Sequence, residues 1–584
     1  MGGLRMTDRI ATSGARPEKD VPVESSNWDL HPGRWRMTRR QAIRHWLGAT
    51  AAVVSVAAAT LPSFVSDASA TQTRNAQQRA GPPPALPQPR VLKSTNSLLA
   101  LTLTAMPATV DMGAPSPVRT LTYDGVVPSY TWELNAGDRL TVDLVNRLPP
   151  QSSMGTMRMD RPHEWATTNL HTHGLHVSPL GNGDNVFLTV QPGDRQHYQI
   201  DVPPDHPSGI FWYHPHRHGG VTQQVRGGMA GLIIVRGDLD QVPEVAAATE
   251  QVMILQAIEL GDSYELLEPI PNPTTQQAFY PRTNVLYTVN GVLTPTISMY
   301  PGEVQRWRLL NAAEGKFMSL RLEGHAFNVL AWDGLTLAAP DTVDLVMLSA
   351  GNRVEVLVRA GQAGTYELML TPGSSQKPNI PGMPDAPSAG NSGSAATVPV
   401  QMPGMASMPG FPDLPGELQP RSIATVVVGG DGPEMDLPNS LPAWDPPILP
   451  IARQHALAYT VARSPDNEFI FFGVDGDAFD PTRPPYQIPI NTAEEWTLTN
   501  DLDTKLMDHA HVFHIHQNPF KITSINGAPL ATPLWRDTFV LTRSSGDSIT
   551  FESNFVDYPG TFVQHCHVLS HEDLGMMSSI EIIP

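Results

Sequence analysis

One short phrase occurs three times along this chain, and it constrains the fold more than any other feature. Asp124-Gly125 is followed by Ala136-Gly137-Asp138-Arg139-Leu140 and ends at Asn146. Asn290-Gly291 is followed by Pro301-Gly302-Glu303-Val304 and Trp307-Arg308-Leu309, ending at Asn311. Asp475-Gly476 is followed by Glu494-Glu495-Trp496-Thr497-Leu498 and ends at Asn500, without the glycine of the second turn. Each copy reads as a tight turn, a spacer, a second turn and an alternating strand. Repetition at domain-sized spacing predicts three similar units, at 88–238, 250–370 and 421–584. The chain of 584 residues has 57 prolines and 46 glycines, which favours many turns and short strands. No helical stretch is long enough for βαβ crossovers. The expectation is an all-β protein of three consecutive Greek-key sandwiches or barrels.

The first 70 residues read as an export signal and leader rather than as fold. Thr38-Arg39-Arg40-Gln41 precedes an apolar run from Leu47 to Val65 and then Ala68-Ser69-Ala70, a small-residue cleavage site. The paired arginines resemble a twin-arginine signal, so the expected location is exported, periplasmic or extracellular, in a bacterium. The run is alanine-rich and interrupted by Pro62, which makes it a weak permanent membrane span. Residues 71–87 are expected to be a disordered leader. The formal charge of -19 disfavours nucleic acid and anionic membranes as partners and tolerates metal cations and amines.

Chemistry concentrates at the two ends of the folded part. Ten of the twenty histidines fall into four clusters: His171-Thr172-His173, His214-Pro215-His216, His511-Val512-Phe513-His514-Ile515-His516 and His565-Cys566-His567 with His571. A His-x-His pair on a strand points both rings to one side. Four such pairs can converge eight imidazoles on one cavity between the first and third units. Imidazole alone does not select the metal, but the single cysteine does. Cys566 with His511, His571 and Met576 makes a thiolate, two imidazoles and a thioether, the ligand set of a blue-copper centre. The neighbours of Cys566 point to the opposite side of its strand, toward the other cavity. In the segment 372–420, rich in Pro, Gly, Ser and Ala, lie Met383, Met402, Met405 and Met408. It reads either as a plain mobile linker or as a weak Cu(I) relay.

These motifs, with Trp535-Arg536-Asp537, resemble those of the multicopper oxidases, laccases and bacterial copper-resistance oxidases included. The resemblance implies three cupredoxin-like domains and four coppers per chain. It places His171 and His514 on a type 2 copper. His173, His214, His216, His516, His565 and His567 fall on a type 3 pair, and His511, Cys566, His571 and Met576 on type 1. It assigns Asp184 and Glu572 to proton delivery, and makes the middle unit copper-free. Thr172 stands where many relatives have tryptophan, and Val512 where many have proline. His176, His218, His325 and His509 are expected to be structural or solvent-exposed. The expected activity is laccase-like: one-electron oxidation of phenols or aromatic amines coupled to reduction of dioxygen to water. A cuprous oxidase acting on Cu(I) is the alternative, and a non-enzymatic exported copper protein a distant third.

Overall fold

The three turns Asp124-Gly125, Asn290-Gly291 and Asp475-Gly476 all adopt positive φ at both residues, at 53° and 77°, 51° and 77°, and 53° and 82°. Each anchors the same way. The backbone N–H of Asp124 donates to Thr104 O while its carboxylate accepts the Thr104 N–H at 2.8 Å. Asn290 does this with Ile254, and Asp475 with Ala458. The closing asparagines repeat as well: the carbonyls of Asn146, Asn311 and Asn500 accept the N–H of Gly193, Gly351 and Gly546. Identical hydrogen bonds in three places make the repeat structural as well as verbal.

The computed structural model describes residues 84–584 apart from 152–159, 161, 272–277, 373–418, 464–469, 503–509 and 542–544. The segment expected to be an export signal and the four methionines of 372–420 lie outside the described residues. No helix among the described residues is long and apolar enough to cross a membrane.

Each unit is a two-sheet sandwich. In every one a long strand pairs in parallel with the strand of the repeated phrase: Leu98–Val110 with Arg139–Asn146, Thr249–Leu260 with Val304–Asn311, and Ile451–Arg463 with Thr492–Leu502. The next strand then pairs antiparallel: Arg195–Asp201, Arg353–Arg359 and Ser548–Phe555. Parallel neighbours require a crossover, which here passes over to the second sheet and back, the Greek-key route. Alternation of buried and half-buried residues along Arg139–Asn146 and Ser548–Phe555 shows one face of each sheet turned inward. Each sandwich has its own apolar core. An apolar seam of Ile210, Trp212, Leu232 and Ile234 against Val252, Ile254 and Leu310 joins the first unit to the second.

Two boundaries differ from the sequence reading. Arg421–Val428, expected to open the third unit, pairs instead with Gly364–Pro372 and Thr296–Met299 and completes the second sheet of the middle unit. Residues 84–87, expected in a disordered leader, also dock on the middle unit: Thr296 N–H donates to Pro84 O, Leu86 N–H to Thr296 O, and Asn290 Nδ2 to Pro87 O. Arg421–Val428 fills the place between two strands and 84–87 lies along the edge strand Thr296–Met299, which are properties of the assembled sheet and not of the local pattern.

Candidate metal centre

The metal-type side chains sit on paired strands whose register brings them together. In the first unit His171–His173 pairs antiparallel with Gly209–His214, placing His171 opposite His214 and His173 opposite Trp212. In the third unit His511–Ile515 pairs with Gly560–Cys566, placing His514 opposite His565 and Phe513 opposite Cys566. Residues directly opposite share a face and neighbours alternate. His514 and His565 therefore face one way, while Cys566, Phe513 and His511 face the other.

Beside a group that joins Asp184 to His171 and His516, four groups of three His or Cys side chains result among the described residues, each with its ligand atoms within 4.8 Å of one another and all buried. They are His173, His214 and His567; His216, His516 and His565; His171, His173 and His514; and His511, Cys566 and His571. The second group aims Nε2 atoms at a common point, with His216 Nε2 at 3.1 Å from both His565 Nε2 and His516 Nε2. In the last group Cys566 Sγ is 3.6 Å from Nδ1 of His511 and of His571. Met576 is buried in the same core, its carbonyl accepting the Cys566 N–H and its N–H donating to His571 O.

The outer ring nitrogens of several of these histidines are held by the protein. His171 Nδ1 lies 2.9 Å from an Asp184 carboxylate oxygen, and the other oxygen accepts the Thr172 N–H at 2.8 Å. His214 Nδ1 meets Pro215 O at 2.9 Å, and His514 Nδ1 meets Asp537 O at 2.7 Å. Glu572 places one oxygen 3.0 Å from His565 Nδ1 and the other 3.5 Å from His216 Nδ1. The inner nitrogens are different: Nε2 of His171, His214 and His514 and Nδ1 of His173 are buried with no hydrogen-bond partner, as are both ring nitrogens of His567. Buried polar atoms are rarely left so, and convergent ones with their second nitrogen anchored are the arrangement of metal-ligating histidines. The donor set, eight imidazoles beside a thiolate with two more, fits copper.

Electrostatics agree. Burial, reinforced by the other rings, holds His171, His173, His214, His514, His516 and His567 well below the usual histidine range, and His216 and His565 fall to about 4. They are neutral imidazoles, the form that binds metal. Burial pushes Asp184 and Glu572 up to about 7 and the Cys566 thiol up to about 12.

Every sequence-expected ligand histidine and Cys566 falls within these groups. Thr172 is buried between them, opposite Tyr213, and contributes its N–H to Asp184. His176, His218 and His325 lie in none of the groups. His176 bonds Gln517 O and Asp557, His218 packs edge-on to Phe479, and His325 accepts the Gly361 N–H. His509 lies outside the described residues. Sequence reasoning missed the support supplied by the middle unit. The Arg353 guanidinium donates to Asp537 Oδ1 at 2.8 Å, to Asp333 O at 3.0 Å and to Ile210 O at 3.3 Å, touching all three units. Asp537 and its neighbour Thr538 hold His514 and His173. Asn352 donates to Thr538 O, and Gly351 packs under the His567 ring. A charged residue at the head of an otherwise largely apolar strand, Arg353–Arg359, was the available signal.

Known proteins complete the picture. Three family models, each described as multicopper oxidase, match residues 104–240, 256–385 and 450–584. A multicopper oxidase of Staphylococcus aureus is 22% identical over 499 residues, covering 85% of this chain and 91% of its own length. The multicopper oxidase MmcO of Mycobacterium tuberculosis is 24% identical over 512 residues, covering 82% and 86%. The structure of a laccase from Pediococcus acidilactici superposes with a TM-score of 0.65 at 21% identity, over 88% of this chain and 96% of that one. With the family models spanning all three sandwiches and the histidine groups at their junction, the chain belongs to the multicopper oxidase family, three-domain type, and is an oxidoreductase.

Proposed function

We propose that this protein is a laccase-like oxidase holding four coppers, which takes single electrons from phenols or aromatic amines and passes them to dioxygen. The observation that carries this is the strand at Cys566: the cysteine belongs to one ligand group and its immediate neighbours His565 and His567 to two others. His511, Cys566 and His571, with Met576, would hold type 1 copper. His171 and His514 would hold type 2. His173, His214 and His567 would hold one type 3 copper, and His216, His516 and His565 the other. Copper, when bound, supplies one-electron acceptance beside Cys566 and four-electron reduction of dioxygen at the imidazole groups. The protein supplies the rest. One residue on either side of Cys566 makes the shortest covalent connection between the two ligand sets. Glu572, fully buried against His216 and His565, holds a proton at its carboxyl for the forming water, and Asp184 fixes the orientation of His171.

Glu572→Gln keeps the volume and removes the acidic proton. Its expected effect is slower reoxidation of the reduced enzyme by dioxygen, by about 10²-fold or more, with the blue band unchanged. Stopped-flow absorption reads this directly, and wild-type reoxidation removes Glu572 from the proton path.

Aromatic reductants are supported by the apolar flank of the Cys566 group, where Phe472 stacks on His571 at 4.4 Å and Phe317 and Met347 of the middle unit join the same core. The methionines of 372–420 and the charge of -19 favour a second reading, oxidation of Cu(I). The copper-loaded protein should contain four coppers, show a blue band and consume dioxygen without releasing peroxide. Three or fewer coppers after full reconstitution contradict the assignment. Parallel assays with a phenol, an aromatic amine and Cu(I) decide between the readings: Cu(I) oxidation that outruns both organic substrates favours the second.

A further inference from the structure

Val512 stands next to His511, in the strand facing Cys566. Its backbone N–H donates to Cys566 Sγ at 3.4 Å, and its carbonyl accepts the His567 N–H. The N–H and C=O of a strand residue point to the same side, so this N–H is turned toward the strand of Cys566 and not toward Thr538–Leu541 on the other edge. Val512 and Cys566 are both fully buried, so water does not compete for the sulfur.

We propose that the Val512 N–H is a specificity-determining group of this oxidase: it raises the reduction potential of the copper held by Cys566 and extends its reductants toward phenols that give up an electron less readily. The inference rests on the function proposed above. The positive end of an N–H dipole aimed at a thiolate draws electron density from the sulfur. It also favours the state of the site with one less positive charge, which is the reduced one. When a phenol is oxidised, its electron enters this site and its proton leaves to solvent. No bond at the sulfur breaks. The hydrogen bond therefore acts on the equilibrium of electron transfer and leaves the ligands as they are. The side chain of Val512 has no part in it. Any residue with a backbone N–H preserves the effect, and proline, which lacks one, abolishes it.

The test compares copper-loaded wild type, Val512→Ala, which keeps the N–H, and Val512→Pro, which removes it. Redox titration of the blue band should show the equilibrium constant for reduction falling about tenfold, ~59 mV for one electron, in Val512→Pro. Val512→Ala should stay within about twofold of wild type. Across a series of phenols of graded potential, Val512→Pro should lose turnover mainly on the poorer reductants. Equal potentials in wild type and Val512→Pro overturn the proposal, and so does an equal fall in both variants, which points to packing. If Val512→Pro yields no blue protein, wild type produced in deuterium oxide decides: shifted copper–sulfur stretches in the resonance Raman spectrum support the hydrogen bond and superimposable spectra overturn it. A wild type with no blue band contradicts the proposed function itself, which keeps the two failures apart.

Discussion

Cys566→Ser is expected to give a folded, copper-binding protein with no blue absorption band and turnover on phenols reduced more than about 100-fold. That is above the 10–100-fold range for partners that only orient a ligand. The fold should survive because serine is close in size and the Val512 N–H that faces the sulfur still has an oxygen to meet. The residual cost is that of a buried, imperfectly bonded hydroxyl, about 1–3 kcal/mol. The chemistry should not survive, because a hydroxyl is a harder ligand than a thiolate and does not ionise in its place. His565 and His567 face away from this site, so the copper in the imidazole groups should remain. Copper analysis, absorption and electron paramagnetic resonance on one sample separate these parts. A retained blue band rules Cys566 out as the type 1 ligand.

Gly174→Ala should do the opposite, keeping the blue band while releasing copper from the imidazole groups. Gly174 follows His171-Thr172-His173 at φ +85°, a backbone region that costs a residue with a side chain about 1–3 kcal/mol. More damaging is what an added Cβ would meet: Arg353 Nη2, Asp537 Oδ2 at 2.5 Å, and the Phe211 ring at 3.0 Å. Opening that buried ion pair carries a penalty of about 3–5 kcal/mol when one charge loses its partner. The carboxylate displaced belongs to Asp537, whose carbonyl holds His514. Gly125→Ala is the control: φ is +77° there, but nothing lies within 4 Å of the new Cβ. Thermal unfolding should fall modestly in Gly125→Ala and much further in Gly174→Ala. Only the latter should lose copper to a chelator, and equal behaviour of the two variants would assign the whole effect to backbone strain.

The clustering of the candidate ligand side chains was legible in the sequence because histidine and cysteine are chemically distinctive, and because strand periodicity says which neighbours share a face. His565, Cys566 and His567 could be split between two cavities on alternation alone. The three-unit plan was legible because its turns need Asx-Gly and its strands alternate. What stayed hidden is whatever depends on surfaces meeting. Arg353 lies in a unit with no ligand of its own, and its partners Ile210 and Asp537 are 143 and 184 residues away in sequence. Asp573, next to Glu572, resembles any acid until its carboxylate is seen accepting the N–H groups of Gly219 and Thr222 from the first unit. Trp212 reads as ordinary core, yet its ring stacks on His214 at 4.1 Å. Arg421–Val428 was assigned to the unit that follows it because pattern shows that a segment is a strand, and not which sheet has an edge for it.

The contact of Arg353 with all three units also separates colour from competence. His511, Cys566 and His571 come from a single sandwich, and the middle unit flanks that group through Phe317 and Met347 without supplying any of its three side chains. The imidazole groups are drawn from two sandwiches and braced by the third, so they exist only while the units are docked. On the copper assignment proposed above, a molecule whose units have loosened at the seam is expected to stay blue and to accept an electron, but to have nowhere to send it. For a preparation ageing in storage, intensity at the blue band overstates the fraction of working enzyme, and dioxygen consumption is the measure of how much remains whole.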